Sequence, residues 1–290
     1  MVRMKYVCML PLLLMTCAGD RIVSAPPQEK VLLWRGDRVY AVAAGAVTRR
    51  GSTAIELSGV RTIADVDASK DLIAIAAVPS DLQGCKLLLG TARSGFRDVA
   101  AVPSAVPAIA LSDDGQRIGF SRFDGNANAY DIYIYDAAAS ESRLLASKAA
   151  SPTGSLSFRS GTRQVTFEDL EGRVSTIDLD SHERVPLMSG KRPRWAHDGS
   201  KLAYRTDDAV YVYDVETKKS TVAYRRTLTD GNFDGSLFWS GNDQFLAFNL
   251  NVGVDASNRR CVMIDTRIGA IAVAATTPYL CGPFLPPREK

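Results

Sequence analysis

The sequence predicts an all-β fold, a ring of six four-stranded blades closed where the C-terminal strand joins the N-terminal blade. Three observations predict it. An anchor-and-strand pattern recurs five times, turn residues sit at a fixed place inside that pattern, and the N-terminal blade lacks a strand that the C-terminus can supply.

The pattern is an anchor residue, then an apolar residue at +7, a small or polar one at +8 and a large apolar one at +9. Trp195 leads to Leu202, Ala203 and Tyr204, and Trp239 to Leu246, Ala247 and Phe248. Leu111, Phe158 and Val66 lead to Ile118-Gly119-Phe120, Val165-Thr166-Phe167 and Ile73-Ala74-Ile75. The anchors are 45, 47, 37 and 44 residues apart. Turn pairs fall between anchor and +7: Asp114-Gly115, Ser160-Gly161, Asp198-Gly199 and Ser240-Gly241. A turn followed by period-2 alternation reads as a tight β-hairpin. Each unit continues into a third strand: Cys85–Leu89, Asp131–Tyr135, Val174–Leu179, Val210–Tyr213 and Cys261–Ile264. Four of these end at or near an aspartate: Asp136, Asp178, Asp214 and Asp265. A weaker fourth strand follows, as at Ser142–Leu145 and Ser220–Tyr224. Four short strands per ~40–50 residues are the signature of a β-propeller blade, because one sheet cannot bury both faces and blades packed radially bury each other's.

The N-terminal blade begins at Val31–Trp34, read as a second strand, with a third at Val39–Val42 and a fourth at Val47–Arg50. Its inner strand is missing. One blade period beyond Trp239 lies Phe284–Leu285, so the C-terminal strand is expected to complete this blade and close the ring. The propeller then spans 31–287, with a linker at 19–30 and a tail at 288–290.

Residues 1–18 read as an export leader. Arg3 and Lys5 precede the 11-residue apolar run Tyr6–Thr16, too short to span a bilayer and suited to a signal-peptide core. Leu14-Met15-Thr16-Cys17 resembles a bacterial lipobox, which makes Cys17 a candidate for lipidation; ordinary cleavage after Ala18 is a second reading, and cleavage after Ala25, disfavoured by Pro26, a third. The expected location is the periplasm, or the outer membrane through a lipid anchor. Formal net charge is +3, or about +1 without Arg3 and Lys5, which does not suit a nucleic-acid binder. Cys85, Cys261 and Cys281 remain beyond the leader, and outside the cytoplasm thiols tend to pair. Cys261–Cys281 is the expected bridge, since it ties the closing strand to the preceding blade, with Cys85 as competitor.

The segment Leu111-Ser112-Asp113-Asp114-Gly115-Gln116-Arg117-Ile118-Gly119-Phe120, followed by Asp124-Gly125 and Asp131-Ile132-Tyr133, resembles the repeat of the TolB-like propellers. Arg194-Trp195-Ala196-His197-Asp198-Gly199-Ser200-Lys201-Leu202-Ala203-Tyr204 is a second copy. The resemblance implies a six-bladed propeller that binds a protein partner in the cell envelope. TolB proper carries an N-terminal domain ahead of its propeller, which residues 19–30 cannot supply.

The chain contains two histidines, His182 and His197, both at turns, and no G-x-S-x-G elbow. No catalytic residue is therefore assigned and the chain reads as a non-enzyme. Two stretches place oxygen side chains as calcium loops do: Asp124, Asn126 and Asn128, and Asp230, Asn232 and Asp234. Position 12, a bidentate Glu in the full motif, is Tyr135 in one and Gly241 in the other, so calcium is a weak candidate and no cofactor is assigned.

The register separates two faces. Tight first-to-second turns open on one. On the other the segments Ala77–Gly84, Ser121–Tyr130, Arg225–Ser236 and Asn249–Arg260 read as long loops, where binding tends to be built. That face collects Arg122, Asp124, Arg205, Asp207, Asp208, Asp230, Asn232, Asp234, Asn249, Asn251, Arg259 and Arg260. The expectation is a monomeric, non-catalytic envelope propeller binding a protein there. Two alternatives are a small-molecule lyase or lactonase with a metal in the central channel, and a periplasmic toxin-neutralising protein.

Overall fold

The structure, a computed structural model, describes residues 30–35, 38–43, 53–57, 59–81, 84–91, 94–103, 106, 108–126, 129–150, 155–227, 230–252, 259–277 and 280–285. For 30–56, 259 and 270–285 it describes the backbone path alone. The leader, Cys17, the strand at Val47–Arg50, Asn128 and the tail at 288–290 lie outside the described residues.

Every described element is a strand. β1 (Lys30–Arg35), β2 (Arg38–Ala43) and β3 (Thr53–Glu56) come first. The first continuous blade is β4 (Val60–Ser69), β5 (Leu72–Pro79), β6 (Cys85–Thr91) and β7 (Gly95–Val102). The second is β8 (Ile109–Leu111), β9 (Arg117–Asp124), β10 (Ala129–Asp136) and β11 (Glu141–Ala150). The third is β12 (Leu156–Arg159), β13 (Gln164–Glu168), β14 (Arg173–Asp178) and β15 (Arg184–Ser189). The fourth is β16 (Lys191–Trp195), β17 (Lys201–Arg205), β18 (Ala209–Asp214) and β19 (Lys219–Arg225). The fifth is β20 (Asn232–Trp239), β21 (Phe245–Asn251), β22 (Arg259–Asp265) and β23 (Ala270–Thr277). Last comes β24 (Leu280–Leu285).

The chain is thus an all-β propeller of four-stranded antiparallel blades, five of them each built from one stretch of chain. A further four-stranded sheet has the order β24-β1-β2-β3, with Val31 opposite Phe284 and Lys30 opposite Leu285. The innermost strands are neighbours in the sequence β4, β8, β12, β16, β20, β24, and β24 also lies beside β4.

The repeat has a physical cause at each position. The apolar cores lie between blades rather than within them. One cluster joins Leu87 and Leu89 of the first blade to Ile118 and Phe120 of the second. A second joins Ile132 and Ile134 to Val165 and Phe167, and a third joins Val174 to Trp195, Leu202 and Tyr204. A fourth joins Val210 and Val212 to Trp239, Leu246 and Phe248. In the second to fifth blades the +7 and +9 residues are buried because they point into these seams; Ile73 and Ile75 of the first blade are buried as well. The anchor Phe158 is half-buried, packed at the edge of its cluster against the blade that carries Gly119.

The recurrent aspartates are turn caps. Asp136, Asp178, Asp214 and Asp265 each accept a backbone N–H two or three residues on, closing the third-to-fourth turn. Asp114, Asp198 and Asn242 do the same in the first-to-second turns. In those turns Gly115 and Gly199 take φ 69, the left-handed conformation that glycine adopts at little steric cost. In the fifth blade the equivalent position is Asp243, at φ 54, so the turn pair there is Asn242-Asp243 and not Ser240-Gly241.

Strands run into both ends of the segments expected as long loops on one face. Asp124 pairs with Ala129, Asn251 with Arg259 and Asp234 with Asn249, so the hairpins zip well beyond their apolar segments. Cross-strand backbone bonding does not depend on side-chain polarity, which is why polar composition misplaced these ends. Cys261 is disulfide-bonded, and Cys85 is a buried free thiol whose pKa burial pushes up to about 12.

Candidate functional site

An inner strand shows one edge to the next blade, with backbone N–H groups that the sheet does not satisfy. Side chains of the preceding blade satisfy them here. Asp65 Oδ2 accepts the Ile109 N–H at 3.0 Å, and Asp67 Oδ2 accepts the Leu111 N–H at 2.7 Å. Ser157 Oγ accepts the Trp195 N–H at 2.9 Å, and the Trp239 indole donates to the Arg194 carbonyl at 3.0 Å. The anchors are therefore tied across blades as well as packed.

These contacts line an axial cleft whose walls come from five inner segments: Asp65, Ile109, Ser155, Arg194 and Phe238 with their neighbours. Arg194 reaches from β16 to Asp67 on β4, and its guanidinium lies 5.6 Å from the Phe238 ring. β8 and β12 stand between β4 and β16 along the line of inner strands, so this pair spans the channel. Asp65, two residues from Asp67, is buried and has backbone N–H partners. Desolvation pushes its pKa up to about 7, with the Asp67 charge adding to the rise and the Ile109 and Val66 N–H groups opposing it.

Above the cleft, at the start of β16 and the end of β17, lies a charged mouth. Arg192 and Arg205 are largely buried, and Glu168 and Asp234 lie close enough to both to act on them. Glu168 accepts the Arg192 N–H at 3.3 Å, and Lys191 pairs with Asp207 at 2.8 Å on the rim. Burial pulls both arginine pKa values down, and the nearby Arg192 charge helps bring Arg205 to about 10. The Nε of each is buried without a hydrogen-bond partner.

Of the residues expected on the binding face, Arg205, Asp207 and Asp234 converge at this mouth. Arg122, Asp124, Asp208, Asp230 and Asn232 have local partners. Arg122 pairs with Asp131 at 3.5 Å and stacks on Tyr133, and Asp208 pairs with Arg225 at 2.6 Å. Asp124 caps its own turn by accepting the Asn126 N–H. Asp230 accepts the Thr227 N–H at 2.6 Å and bonds the Tyr224 hydroxyl, with Arg260 nearby. Asn232 accepts from Arg226 at 2.7 Å. These turn and side-chain partners engage Asp124, Asp230 and Asn232, three of the six residues weighed as calcium donors. Asn249 is a correction: it is 1% exposed within β21, because the strand runs through it. Asn251 and Arg259 face each other at the hairpin end, one pair beyond Leu250 and Arg260. His197 lies on the opposite, tight-turn face, where Asp243 of the next blade accepts from its Nδ1 and from its backbone N–H, both at 2.8 Å.

The central charged residues, Asp65, Asp67, Glu168, Arg192 and Arg194, escaped the sequence reading. A signal existed: Asp65 and Asp67 flank the anchor Val66, and Arg192 and Arg194 alternate just before Trp195. Period-2 charge on a strand expected at the ring's centre marks a polar axis.

No protein-family model matches the chain, and no protein of curated function matches its sequence. Solved structures do resemble it. TolB from Acinetobacter baumannii superposes with a TM-score of 0.69 at 12% identity, over 88% of this chain and 67% of that one. A protein assigned as TolB in Agrobacterium tumefaciens gives 0.63 at 12% identity, over 88% and 93%. A chain of a nidogen/laminin complex gives 0.61 at 10% identity, over 89% and 97%. Topology and comparison together define the fold: a β-propeller that resembles the propeller of TolB.

Proposed function

We propose that this protein is a non-catalytic binding propeller of a bacterial cell envelope, exported by residues 1–18, that takes a protein partner at the mouth of its axial channel. The carrying observation is the mouth itself. Rigid strands hold Arg192, Arg205, Glu168 and Asp234 together at the end of the channel where the second-to-third loops open. Mixed charge with buried arginine suits protein recognition. The likeness to TolB structures supports the same reading.

Two structural readings belong with it. The sheet β24-β1-β2-β3 is read as the sixth blade, and its position between β20 and β4 supports a ring closed by the chain's two ends. Cys261 is read as bridged to Cys281, which lies on β24 beside β22, while Cys85 is free.

Site-specific photo-crosslinking in the native envelope tests the function. A crosslinker at Asp207, on the mouth, should capture one defined protein, and one at Asp114, on the tight-turn face, should not. Equal capture at both, or at neither, sinks the reading. Elemental analysis of the purified protein separates it from a metal-dependent lyase, which would carry stoichiometric metal.

A further inference from the structure

Two guanidinium groups of like charge are held together at the mouth, and their arrangement is costly as it stands. Arg192 sits in the left-handed region at φ 54, inside a strand whose register slips between Lys191 and Arg194. A non-glycine residue seldom adopts that conformation unless its surroundings impose it. Arg205 lies with its guanidinium 5.4 Å from the Phe233 ring, a contact that restricts its plane. Both Nε atoms are buried and without acceptors. Arginine presents five N–H donors in a flat fork, and burying one unpaired forfeits the hydrogen bond it made to water.

Glu168 and Asp234 offset the two positive charges, yet the Nε donors remain open. Neither arginine is fully buried, so part of each side chain can be reached from solvent. Resting on the reading of this mouth as a partner surface, we infer that Arg192 and Arg205 together form an oxyanion site that receives a carboxylate from an acidic segment of the partner. A carboxylate can accept two parallel N–H bonds from an arginine fork. Two flanking carboxylates tolerate one further single charge better than the double charge of a phosphate. Burial, followed by repulsion from Arg192, holds Arg205 at about 10, still cationic at neutral pH, and an incoming anion would relieve that repulsion.

The test uses the full chain and observes the arginine Nε–H signals by NMR during titration with sodium acetate, and separately with sodium phosphate, at ionic strength fixed with sodium chloride. Acetate should move the Arg192 and Arg205 signals saturably. Arg192→Gln and Arg205→Gln should each weaken acetate binding at least tenfold. Arg205→Lys, which keeps the charge and loses the fork, should weaken it by several-fold. A thermal melt of each glutamine variant checks that it is folded, and Arg205→Lys, which keeps the charge that offsets Glu168 and Asp234, separates loss of the fork from loss of fold. No saturable shift, unchanged acetate affinity in the glutamine variants, or tighter binding of phosphate than acetate would each overturn the inference. Crosslinking at Asp207 that persists without any acetate response would discard the oxyanion site and leave the partner reading standing.

Discussion

Arg194 and Asp67 are 127 residues apart in sequence and form an ion pair across the axial channel. Both side chains are buried, Asp67 at 2% and Arg194 at 14% exposure. Asp67 is further held by the N–H groups of Leu111 and Ala68. One pair therefore links the first blade to the fourth, a contact that packing between neighbouring blades cannot provide.

Breaking this pair from one side should be expensive, because it strands a buried charge. Asp67→Ala should cost about 3–5 kcal/mol and Arg194→Met somewhat less, since Met fills much of the arginine volume. The double variant should cost less than the sum of the single ones. Urea denaturation of all four proteins checks this, and additive losses would show that the pair is not coupled.

The inter-blade anchors should behave as core. Trp195 and Trp239 are 5% and 2% exposed. Trp195→Ala should cost about 3–5 kcal/mol, as for other large truncations. Phe158→Ala, at a half-buried anchor, should cost clearly less. Equal costs by chemical denaturation would contradict the burial difference.

Asp65 should make stability depend on pH with a particular sign. Its folded pKa of about 7 lies above its ordinary 3.8, so the folded state holds a proton that the unfolded chain releases. Stability from this group is full below about pH 4 and is lost as pH rises through 7. A shift of about 3 units corresponds to about 4 kcal/mol, an upper figure for so buried a site. Asp65→Asn should raise the melting temperature at pH 8 relative to the parent and flatten the slope between pH 5 and 8. An unchanged slope would mean that another group titrates there.

The sheet β24-β1-β2-β3 gives a direct truncation test. Deleting 279–290 removes β24, leaves a bare edge on β1 and takes away the neighbour that β20 and β4 share. The melting temperature should fall sharply, since an uncovered edge also favours aggregation. An unchanged melt would show that the end strand is an accessory.

The thiols can be mapped directly. A non-reducing peptide map should show Cys261 joined to Cys281. Cys85, 1% exposed, should resist alkylation in the native protein and react once denatured. In the chain-entropy view, reducing a bridge closing about 20 residues should cost about 3 kcal/mol.

The repeat was legible in the sequence because each blade solves the same local problem. Anchor, turn and alternation follow from hydrogen bonding and burial within some twenty residues. The aspartates at 136, 178, 214 and 265 were visible as a recurrence, and the structure supplies their reason as caps. Strand ends were less legible. Backbone pairing carries β9 to Asp124 and β21 to Asn251 although their side chains are polar, so strands extend into segments that read as loops.

The site divides along the same line. Arg205, Asp207 and Asp234 could be assigned to one face from the strand order alone, since alternating directions place every second-to-third turn on the same side. Only the tertiary structure decided that Arg192, Arg194, Asp65, Asp67 and Glu168 join them, because their meeting depends on how many blades separate two strands around an axis. That distance comes from ring geometry and not from local pattern. The same holds for Asn249, whose burial follows from the neighbours of β21 and not from its own polarity. Local chemistry thus determined the blade, while the arrangement of blades around an axis decided which charges face one another across it.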